Sequence, residues 1–300
     1  MNAGVSLFWR QKKAVAGLVI ILTLCLMALF APVLAPGDPS ERVGRSHQPP
    51  TVEHVFGTTK MGRDVFSQFV WGARPSLAVG FATGLAITAL GTIVGLVAGY
   101  FGGRTDATLD LATNAVLVIP NIPLLILLAS FAGTVGPMAI MAIIALTSWP
   151  WGARMTRSQT MALRQREFVV AARMVGEPHW RVIFVEILPN LVPLIGINVV
   201  GSIIYAIVAQ TTLEYLGFGD PLRVTWGTML YNAQNSSAII VGAWWDIAVP
   251  AAGIALVGLG LALINFTFDE IANPQLRSGP ALIRWLRLTR LRRRELEAAR

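Results

Sequence analysis

A stripe of polar and small side chains interrupts one of the apolar stretches of the sequence. Its members follow one another at steps of four, three, four and three residues: Asn198, Ser202, Tyr205, Ala209 and Thr212. This spacing places all five on one face of an α-helix. Unpaired polar groups are costly in hydrocarbon, so this face is expected to meet protein or water. Two interpretations stay open, namely the wall of a solute path and hydrogen bonds between helices.

A second apolar stretch carries polar side chains of the same kind. Asp110, Asn114 and Asn121 lie in it, with Pro120 and Pro123 expected to bend the helix. Pore lining and structural hydrogen bonding are again the two alternatives. The candidate path residues of both stretches together are Asn114, Asn121, Asn198, Ser202, Tyr205 and Thr212. Ion-coupled carriers use sets of carboxylates, histidines or lysines near the midplane, and no such set occurs in these stretches.

No catalytic or nucleotide-binding motif accompanies these residues. The sequence contains no HExxH, GxSxG or CxxC pattern, and its lysines lie outside any Walker A pattern. The single cysteine and three scattered histidines predict no metal site. We therefore predict a non-catalytic subunit, whose uphill transport would draw energy from a partner. A membrane enzyme or assembly scaffold has no motif in its favour.

The elements that position these residues are predicted to be transmembrane helices. Of the 300 residues 54% are hydrophobic and 13% are charged, against roughly 25% charged residues in soluble domains. Charge-free stretches predict six spans, at about 14–35, 76–100, 107–132, 138–154, 190–213 and 247–268. With the N-terminus inside, 18 of the 24 Lys and Arg residues lie on the cytoplasmic side, which favours cytoplasmic termini. The net charge of +8 is thus attributed to the membrane and not to nucleic acid.

The second predicted span keeps one face free of side chains. Glycines recur there at 80, 84, 91, 95 and 99. Such a face lets another helix approach closely. The candidate helix-packing residues are Gly84, Gly91, Gly95 and Gly99, either in a fixed contact or in a moving interface.

The cytoplasmic segment at 154–186 is the most charged internal stretch. A helix is predicted over 167–175, ended by Gly176, and Pro178 suits the first turn of a following helix. Ala172 and Gly176 would form a small-residue face outside lipid, which suits close docking of another protein. The charged residues at its rim are Arg166, Glu167 and Arg173. The alternative is a solvated linker.

This segment carries two motifs ten residues apart, EFVVAARMVG at 167–176 and ILPN at 187–190. Together they resemble the EAA motif of permease subunits in bacterial ATP-binding-cassette (ABC) importers. Further motifs resemble the dipeptide/oligopeptide/nickel branch, its C-type subunit in particular: GTTKMGRDVFS at 57–67, GARPS at 72–76, GYFGG at 99–103, LGFG at 216–219 and WGTML at 226–230. The resemblance covers roughly residues 54–276.

The resemblance implies a type I ABC importer permease fold, with six helices and both ends inside. It implies that 167–176 is a coupling helix seated in a groove of a cytoplasmic ATPase. Its candidate contact residues are Arg166, Glu167, Ala171, Ala172, Arg173 and Gly176. ATP and Mg would then belong to one or two partner ATPase subunits, with no cofactor in this chain. The other implied partners are a homologous second permease subunit and an extracytoplasmic solute-binding protein.

The sequence departs from the family pattern at two places. Val170 stands where the EAA triplet usually opens with glutamate, so contacts of that carboxylate are absent. Leu111 and Asn114 stand where relatives often carry Arg and Asp, so an ion pair at the inner end of the third span is expected to be missing.

Three parts of the chain are predicted. Residues 1–75 form an N-terminal helix and an outer loop with a surface helix at 63–71, and 76–268 form the permease core with the coupling segment 154–189. Residues 269–300 form a basic tail, expected to meet anionic membrane lipid or else the ATPase. The resemblance implies that the loop at 214–246 faces the solute-binding protein or caps the path.

The resemblance implies that the chain lies in the bacterial inner membrane and that its solute is a short peptide. Nickel chelates or another small solute are the alternatives within the same machinery. A self-sufficient secondary carrier or channel is the alternative of a different class.

Overall fold

The computed structural model describes residues 11–133 and 136–272, with side chains described as far as residue 268. In this part of the chain the regular elements are helices, and the β-type pairing is an isolated antiparallel bridge between Thr58 and Asp64. This agrees with the predicted all-α membrane protein. The predicted basic tail lies, beyond Ala272, outside the described residues.

The helices of the first half are α1 (Lys12–Leu29), α2 (Ala31–Leu34), α3 (Val65–Phe101), α4 (Gly103–Val118), α5 (Asn121–Ala132) and α6 (Pro137–Arg164). Those of the second half are α7 (Glu167–Met174), α8 (His179–Arg181), α9 (Leu188–Tyr215), α10 (Trp226–Asn235) and α11 (Trp245–Ala272). A π-helical segment, Val182–Ile187, joins α8 to α9 without a break.

Helix α3 begins well before the predicted second span. Its N-cap is Asp64, whose carboxylate accepts a hydrogen bond from the backbone N–H of Ser67 at 2.7 Å. The surface helix predicted at 63–71 is therefore the first turns of α3 and not a separate element. Val65 and Phe69 are buried in the core, so this part of the chain does not lie as an interfacial helix.

Within the described residues, four helical stretches are long and apolar enough to cross a membrane: Lys12–Leu29, Val65–Phe101, His179–Tyr215 and Trp245–Phe268. Helices α4, of 16 residues, and α5, of 12 residues, are each too short to span alone; taken together they make a fifth span that is bent by 86°. Helix α6 contains the predicted fourth span but is less apolar, since its second half carries charged and hydroxyl side chains. Four or five spans thus follow from length and composition.

The predicted third span is broken and not straight. Helix α4 ends at Val118, Ile119 has an extended backbone with ψ 126°, and α5 starts after Pro120. Proline disfavours the helical conformation of the residue before it and removes a backbone donor. The break follows from Pro120, and it sets Asn121 at the first turn of a new helix.

Helix α3 packs against two neighbours through its glycines. A Cβ added at Gly91, Gly95 or Gly99 would lie 2.6–2.8 Å from backbone carbonyl oxygens of α6. A Cβ added at Gly84 would lie 2.6 Å from the Cα of Ile203 in α9. These distances are below van der Waals contact, so the glycines allow the helix backbones to touch.

The ends of α3, α10 and α11 meet in an aromatic cluster around Trp226. The Trp226 ring is fully buried and stacks on Phe69 with ring centroids 5.6 Å apart. Its indole N–H donates to the backbone carbonyl of Phe69 at 3.0 Å. Helix α1 is held against α11 at a second glycine contact, since a Cβ at Gly17 would lie 2.5 Å from the carbonyl oxygen of Gly260.

Candidate functional site

A cavity of about 550 Å³ lies among helices α3, α4, α5, α6, α9 and α11. Its polar lining residues are Asn121, Thr147, Ser148, Asn198, Ser202, Tyr205 and Asn265. Apolar residues such as Ile87, Val116 and Ile197 form the rest of the wall, and none of the lining side chains is charged. The cavity thus offers hydrogen-bonding groups without ionic ones.

Four of the six predicted path residues meet in this cavity: Asn121, Asn198, Ser202 and Tyr205. The other two lie elsewhere. Thr212 lines a separate small cavity of about 50 Å³, and its hydroxyl donates to the Val208 carbonyl at 2.8 Å. Asn114 belongs to a charged network between α4 and α6.

Two of the cavity residues are committed to each other. The Tyr205 hydroxyl donates to Oδ1 of Asn121, and Nδ2 of Asn121 donates to the backbone carbonyl of Thr147 at 3.3 Å. This chain of bonds ties α9 to α5 and α6 across one side of the cavity. Asn121 and Tyr205 therefore stabilise the packing of α9 against α5 and α6.

Two other cavity residues have unused hydrogen-bonding groups. Nδ2 of Asn198 and Oδ1 of Asn265 are buried atoms without a hydrogen-bond partner in the described part of the chain. Leaving a buried polar group unpaired costs about 1–3 kcal/mol. Native structures contain few buried polar groups without a partner, so each one needs a structural or functional explanation.

Sequence reasoning missed Asn265, Thr147 and Ser148. Asn265 lies in the predicted span at 247–268, where an amide stands out among apolar residues, but it belongs to no periodic stripe. Thr147 and Ser148 precede Pro150 in α6. An isolated polar residue at membrane depth was the available signal.

Helix α7 stands at the opposite end of α6, after a two-residue connection. It ends in a Schellman motif, in which the N–H groups of Gly176 and Glu177 donate to the carbonyls of Arg173 and Ala172, each at 3.1 Å. Gly176 has φ +86°, a conformation that favours glycine. The predicted end of this helix at Gly176 is therefore explained by the positive φ of that residue.

The two sides of α7 differ in exposure. Val169 is fully buried and Ala172 is half-buried against the chain's own apolar cluster. Met174 and Val175, which are adjacent in the chain, are each 83% exposed and form an apolar patch at the end of α7. The prediction that Ala172 and Gly176 share an exposed face is therefore wrong for Ala172. The exposed surface at this end of α7 consists of Met174, Val175 and Gly176.

The other candidate docking residues surround this end of α7. Arg166, Glu167, Ala171, Arg173 and Gly176 are all exposed. A Cβ at Gly176 would meet nothing within 4 Å, so the space beside it is open.

Buried contacts connect α7 to the long helices. Val169 packs with Leu96 of α3 and Leu191 of α9 in one apolar cluster. Just beyond α7, the Tyr100 hydroxyl and Nδ1 of His179 are 2.9 Å apart and hydrogen-bonded. Displacement of α7 would therefore act directly on α3 and α9.

A charged network joins α4 to α6 near the same end. Arg157 binds Asp106 with two hydrogen bonds, of which Nη2–Oδ2 measures 2.8 Å, and its Nη1 lies 3.3 Å from Asp110. Asn114 donates to Asp110 at 2.9 Å and accepts from Arg154 at 2.6 Å. Leu111 and Asn114 form no ion pair with each other, as expected, but Arg157 of α6 forms ion pairs with Asp106 and Asp110 of the same helix α4.

Val170 faces a second cavity, of about 490 Å³, at the C-terminal end of α3. Arg164 and Arg173 line it together with Gly99, Met161 and Gln165. No carboxylate lines this cavity, and neither arginine has an ion-pair partner in the described residues. Val170 therefore adds no negative charge beside these two guanidinium groups.

The far end of α9 holds a buried carboxyl group that the sequence analysis did not single out. Glu214 is 4% exposed and accepts hydrogen bonds from Thr225 Oγ1 at 2.6 Å and from Gln210 Nε2 at 2.9 Å. Thr225 is the N-cap of α10 and forms a capping box with Thr228. Glu214 thus fixes the start of α10 to the end of α9.

Comparison with known sequences places these features in a family. Residues 91–278 match the family described as the inner membrane component of binding-protein-dependent transport systems, and residues 6–50 match the N-terminal transmembrane domain of oligopeptide transport permease C. The chain belongs to the family of binding-protein-dependent transport permeases. Most of the cavity wall and the whole of α7 lie within the longer match.

Relatives of this permease cover nearly its full length. It is 35% identical over 275 residues to the dipeptide transport system permease protein DppC of Alkalihalophilus pseudofirmus, covering 90% of this chain and 88% of that protein. It is 30% identical over 272 residues to the oligopeptide transport system permease protein OppC of Bacillus subtilis, covering 90% and 88%. The resemblance to C-type permease subunits of this branch is confirmed.

A solved structure shares the permease fold. A chain of the MetNI methionine ABC transporter in an inward-facing conformation superposes with a TM-score of 0.52, covering 68% of this chain and 94% of that chain. The sequences are 20% identical, so this likeness concerns the fold alone. The protein is accordingly a multi-pass membrane protein with an ABC transporter permease fold.

Proposed function

We propose that this permease forms half of the membrane path of an ATP-driven importer of short peptides and is moved by a separate ATPase. The observation that carries the proposal is helix α7, which ends in an exposed apolar tip at Met174 and Val175 while its root is buried among α3 and α9. Relatives over nine-tenths of the chain carry dipeptide and oligopeptide permease names, which supports a peptide as solute.

The energy source lies outside this chain in the proposal. The sequence has no Walker A pattern, and the cavity has no charged lining side chain that could bind a coupling ion. ATP and Mg are therefore assigned to one or two cytoplasmic ATPase subunits, and this chain is assigned no cofactor and no catalysis. ATP binding would close the ATPase dimer and move α7 as a lever.

The membrane arrangement in the proposal keeps six spans in the bacterial inner membrane, with both termini cytoplasmic. The distribution of Lys and Arg supports this orientation. The bent pair α4 and α5 supplies the third span, and α6 supplies the fourth despite its polar second half. The permease core is assigned to 76–268, with the coupling segment at 154–189 inside it.

Partners are assigned to both sides of the membrane. A homologous second permease subunit would complete the path, and an extracytoplasmic solute-binding protein would deliver the peptide to the outer segments at 1–75 and 214–246. The arginine-rich tail at 269–300 would meet anionic lipid headgroups.

The decisive test replaces Gly176 by leucine in the complex co-expressed with its ATPase and second permease subunit. A leucine at φ +86° costs about 1–2 kcal/mol of backbone strain. It also places a bulky side chain in the open space beside Met174 and Val175. Purified Gly176→Leu is expected to lose ATPase from the complex or to hydrolyse ATP without peptide uptake in proteoliposomes.

A matched control separates docking from strain. Gly242 has φ +80°, and a Cβ there would also meet nothing within 4 Å. Gly242→Leu therefore imposes similar strain on the opposite side of the molecule, and it is expected to retain the ATPase. Normal uptake by Gly176→Leu, or equal loss of ATPase in both variants, would contradict the docking role of α7. Solute flux through this chain alone, driven by an ion gradient, would favour a secondary carrier instead.

A further inference from the structure

The cavity beside Val170 carries positive charge that the described part of the chain does not balance. Arg164 at the end of α6 and Arg173 in α7 line it, and the other lining residues are uncharged. Neither arginine takes part in the ion pairs among the described residues. Two guanidinium groups from different helices therefore border one space of about 490 Å³ without a counter-charge.

The guanidinium group of Arg164 is held at the C-terminal end of α3. A Cβ added at Gly102, the residue that caps α3, would lie 2.6 Å from Nη1 of Arg164, so this group rests directly on the backbone there. The C-terminal end of a helix carries a partial negative charge, which attracts a cation. Arg164 is half-buried in this position, so one of the two charges is fixed before any partner docks.

The cavity lies beside the surface that is assigned to the ATPase. Val170 lines the cavity and precedes Met174 by one helical turn, so both residues lie on one side of α7. Arg173 is exposed and adjacent to Met174 in the chain. A protein that covers Met174 therefore also borders the cavity.

A carboxylate is the protein group that matches this lining. A guanidinium group offers donors only, arranged in a planar fork that fits the two oxygens of a carboxylate. A basic side chain would meet charge of the same sign. Because Val170 stands where the family pattern has glutamate, this position supplies no carboxylate, whereas a docked partner can supply one.

We propose that an acidic side chain of the ATPase enters this cavity and pairs with Arg164 and Arg173. The inference rests on the proposed function and adds the charge that the partner carries at this position. An ATPase that presents a basic side chain here would be rejected by like-charge repulsion, so the cavity also selects among ATPases.

The first test removes the two charges one at a time. Both permease subunits are held in nanodiscs of phosphatidylcholine, and the Kd of the separately purified ATPase is measured in low salt. Arg164→Gln and Arg173→Gln are each expected to raise this Kd about tenfold, the effect of losing one hydrogen-bonded charge pair. The rise should shrink in high salt because salt screens the charges.

The second test supplies a carboxylate from the permease itself. Val170→Glu places it beside both guanidinium groups, where it would occupy them and repel the carboxylate of the partner. The Kd is expected to rise about tenfold or more, whereas Val170→Gln, of nearly the same size but uncharged, is expected to raise it much less. An ATPase that presents a basic side chain predicts the opposite sign, namely tighter binding by Val170→Glu.

Arg104→Gln is the matched control for the loss of a positive charge. Arg104 is exposed, lies just after the C-terminal end of α3 and does not line the cavity. Its replacement removes the same charge from the same end of the helices, and it is expected to leave the Kd unchanged. Thermal unfolding midpoints near that of the unchanged complex are expected for all the variants, because each altered side chain borders open space.

Three results would overturn the inference while ATPase binding stands. Equal Kd values for the unchanged complex, Arg164→Gln and Arg173→Gln would show that the ATPase does not use the cavity. Tighter binding by Val170→Glu would show that the ATPase presents a basic group there. A rise in Kd that appears only when phosphatidylglycerol is added to the nanodiscs would show that an anionic lipid headgroup fills the cavity. A permease pair that binds no ATPase at all would refute the proposed function, and this inference with it.

Discussion

Substitution of Gly95 by alanine would test whether α3 and α6 are held in backbone contact. The new Cβ would lie 2.6 Å from the Ala153 carbonyl oxygen, 2.6 Å from Cβ of Thr156 and 2.9 Å from the Arg157 nitrogen. Ordinary contact begins at 3.4 Å, so the two helices must separate by roughly 0.8 Å. All three neighbours are backbone or Cβ atoms, which no rotamer change can move.

The expected cost follows from two opposing effects. Overpacking of a close interface costs typically about 1–3 kcal/mol. Alanine regains about 0.5–1 kcal/mol over glycine inside a helix. Gly95→Ala is therefore expected to lower the free energy of unfolding by about 1–2 kcal/mol, measured as a lower midpoint of thermal or denaturant unfolding in detergent.

Gly258 of α11 is the matched control, because a Cβ there would meet nothing within 4 Å. Gly258→Ala is expected to leave the unfolding midpoint unchanged or to raise it. Equal midpoints for Gly95→Ala and Gly258→Ala would refute the claim that the glycine contact between α3 and α6 is tight.

Substitutions at three further residues probe polar contacts of the fold. Arg157→Gln removes the paired hydrogen bonds to Asp106 and should lower the free energy of unfolding by about 1–2 kcal/mol in low salt. The difference in unfolding midpoint should be smaller at high salt because salt screens the charges, and an equal loss of stability at both salt levels would argue against an ionic contact. Glu214→Ala leaves buried donors unpaired and should lower the free energy of unfolding by about 2–3 kcal/mol, whereas Glu214→Gln should retain most of the stability. Similar unfolding midpoints for Glu214→Ala and Glu214→Gln would contradict a hydrogen-bonding role of Glu214. Tyr100→Phe removes only the hydrogen bond to His179 and should cost about 1 kcal/mol, visible as faster proteolysis around α7, while unchanged proteolysis would speak against that anchor.

The sequence predicted best where a single periodicity decides the structure. The stripe at 198–212 has a helical period, and α9 contains the whole of it. The helix at 167–175 was delimited by Gly176, whose positive φ gives the same end in the structure. In both cases local backbone rules and one hydrophobic pattern were sufficient.

It predicted less well where distant parts of the chain decide. Nothing local shows that Thr212 turns away from the main cavity or that Asn114 bonds to Arg154, since both depend on how α4, α6 and α9 pack. Asn265 was missed because it lies far along the chain from its cavity neighbours and shares no period with them. The surface helix at 63–71 was misjudged because its apolar side chains, such as Val65, find a core in α3 that composition alone cannot locate.

The two halves of the cavity wall are tied to α7 by different contacts, and this asymmetry bears on how a lever motion would open the path. Helix α6 continues into α7 through two residues and holds α3 by glycine contacts and α4 through Arg157. Helix α9 contacts α7 through the apolar cluster at Val169, and the π-helical segment directly before α9 connects it back towards α7 along the chain. Close backbone contacts at glycines leave no space between helices, and Gly84 brings α3 into such a contact with Ile203 of α9 as well. A push on α7 is therefore expected to move α3, α4, α6 and α9 together, with bending concentrated at the π-helical segment that leads into α9, because π-helical turns occur often at functional sites.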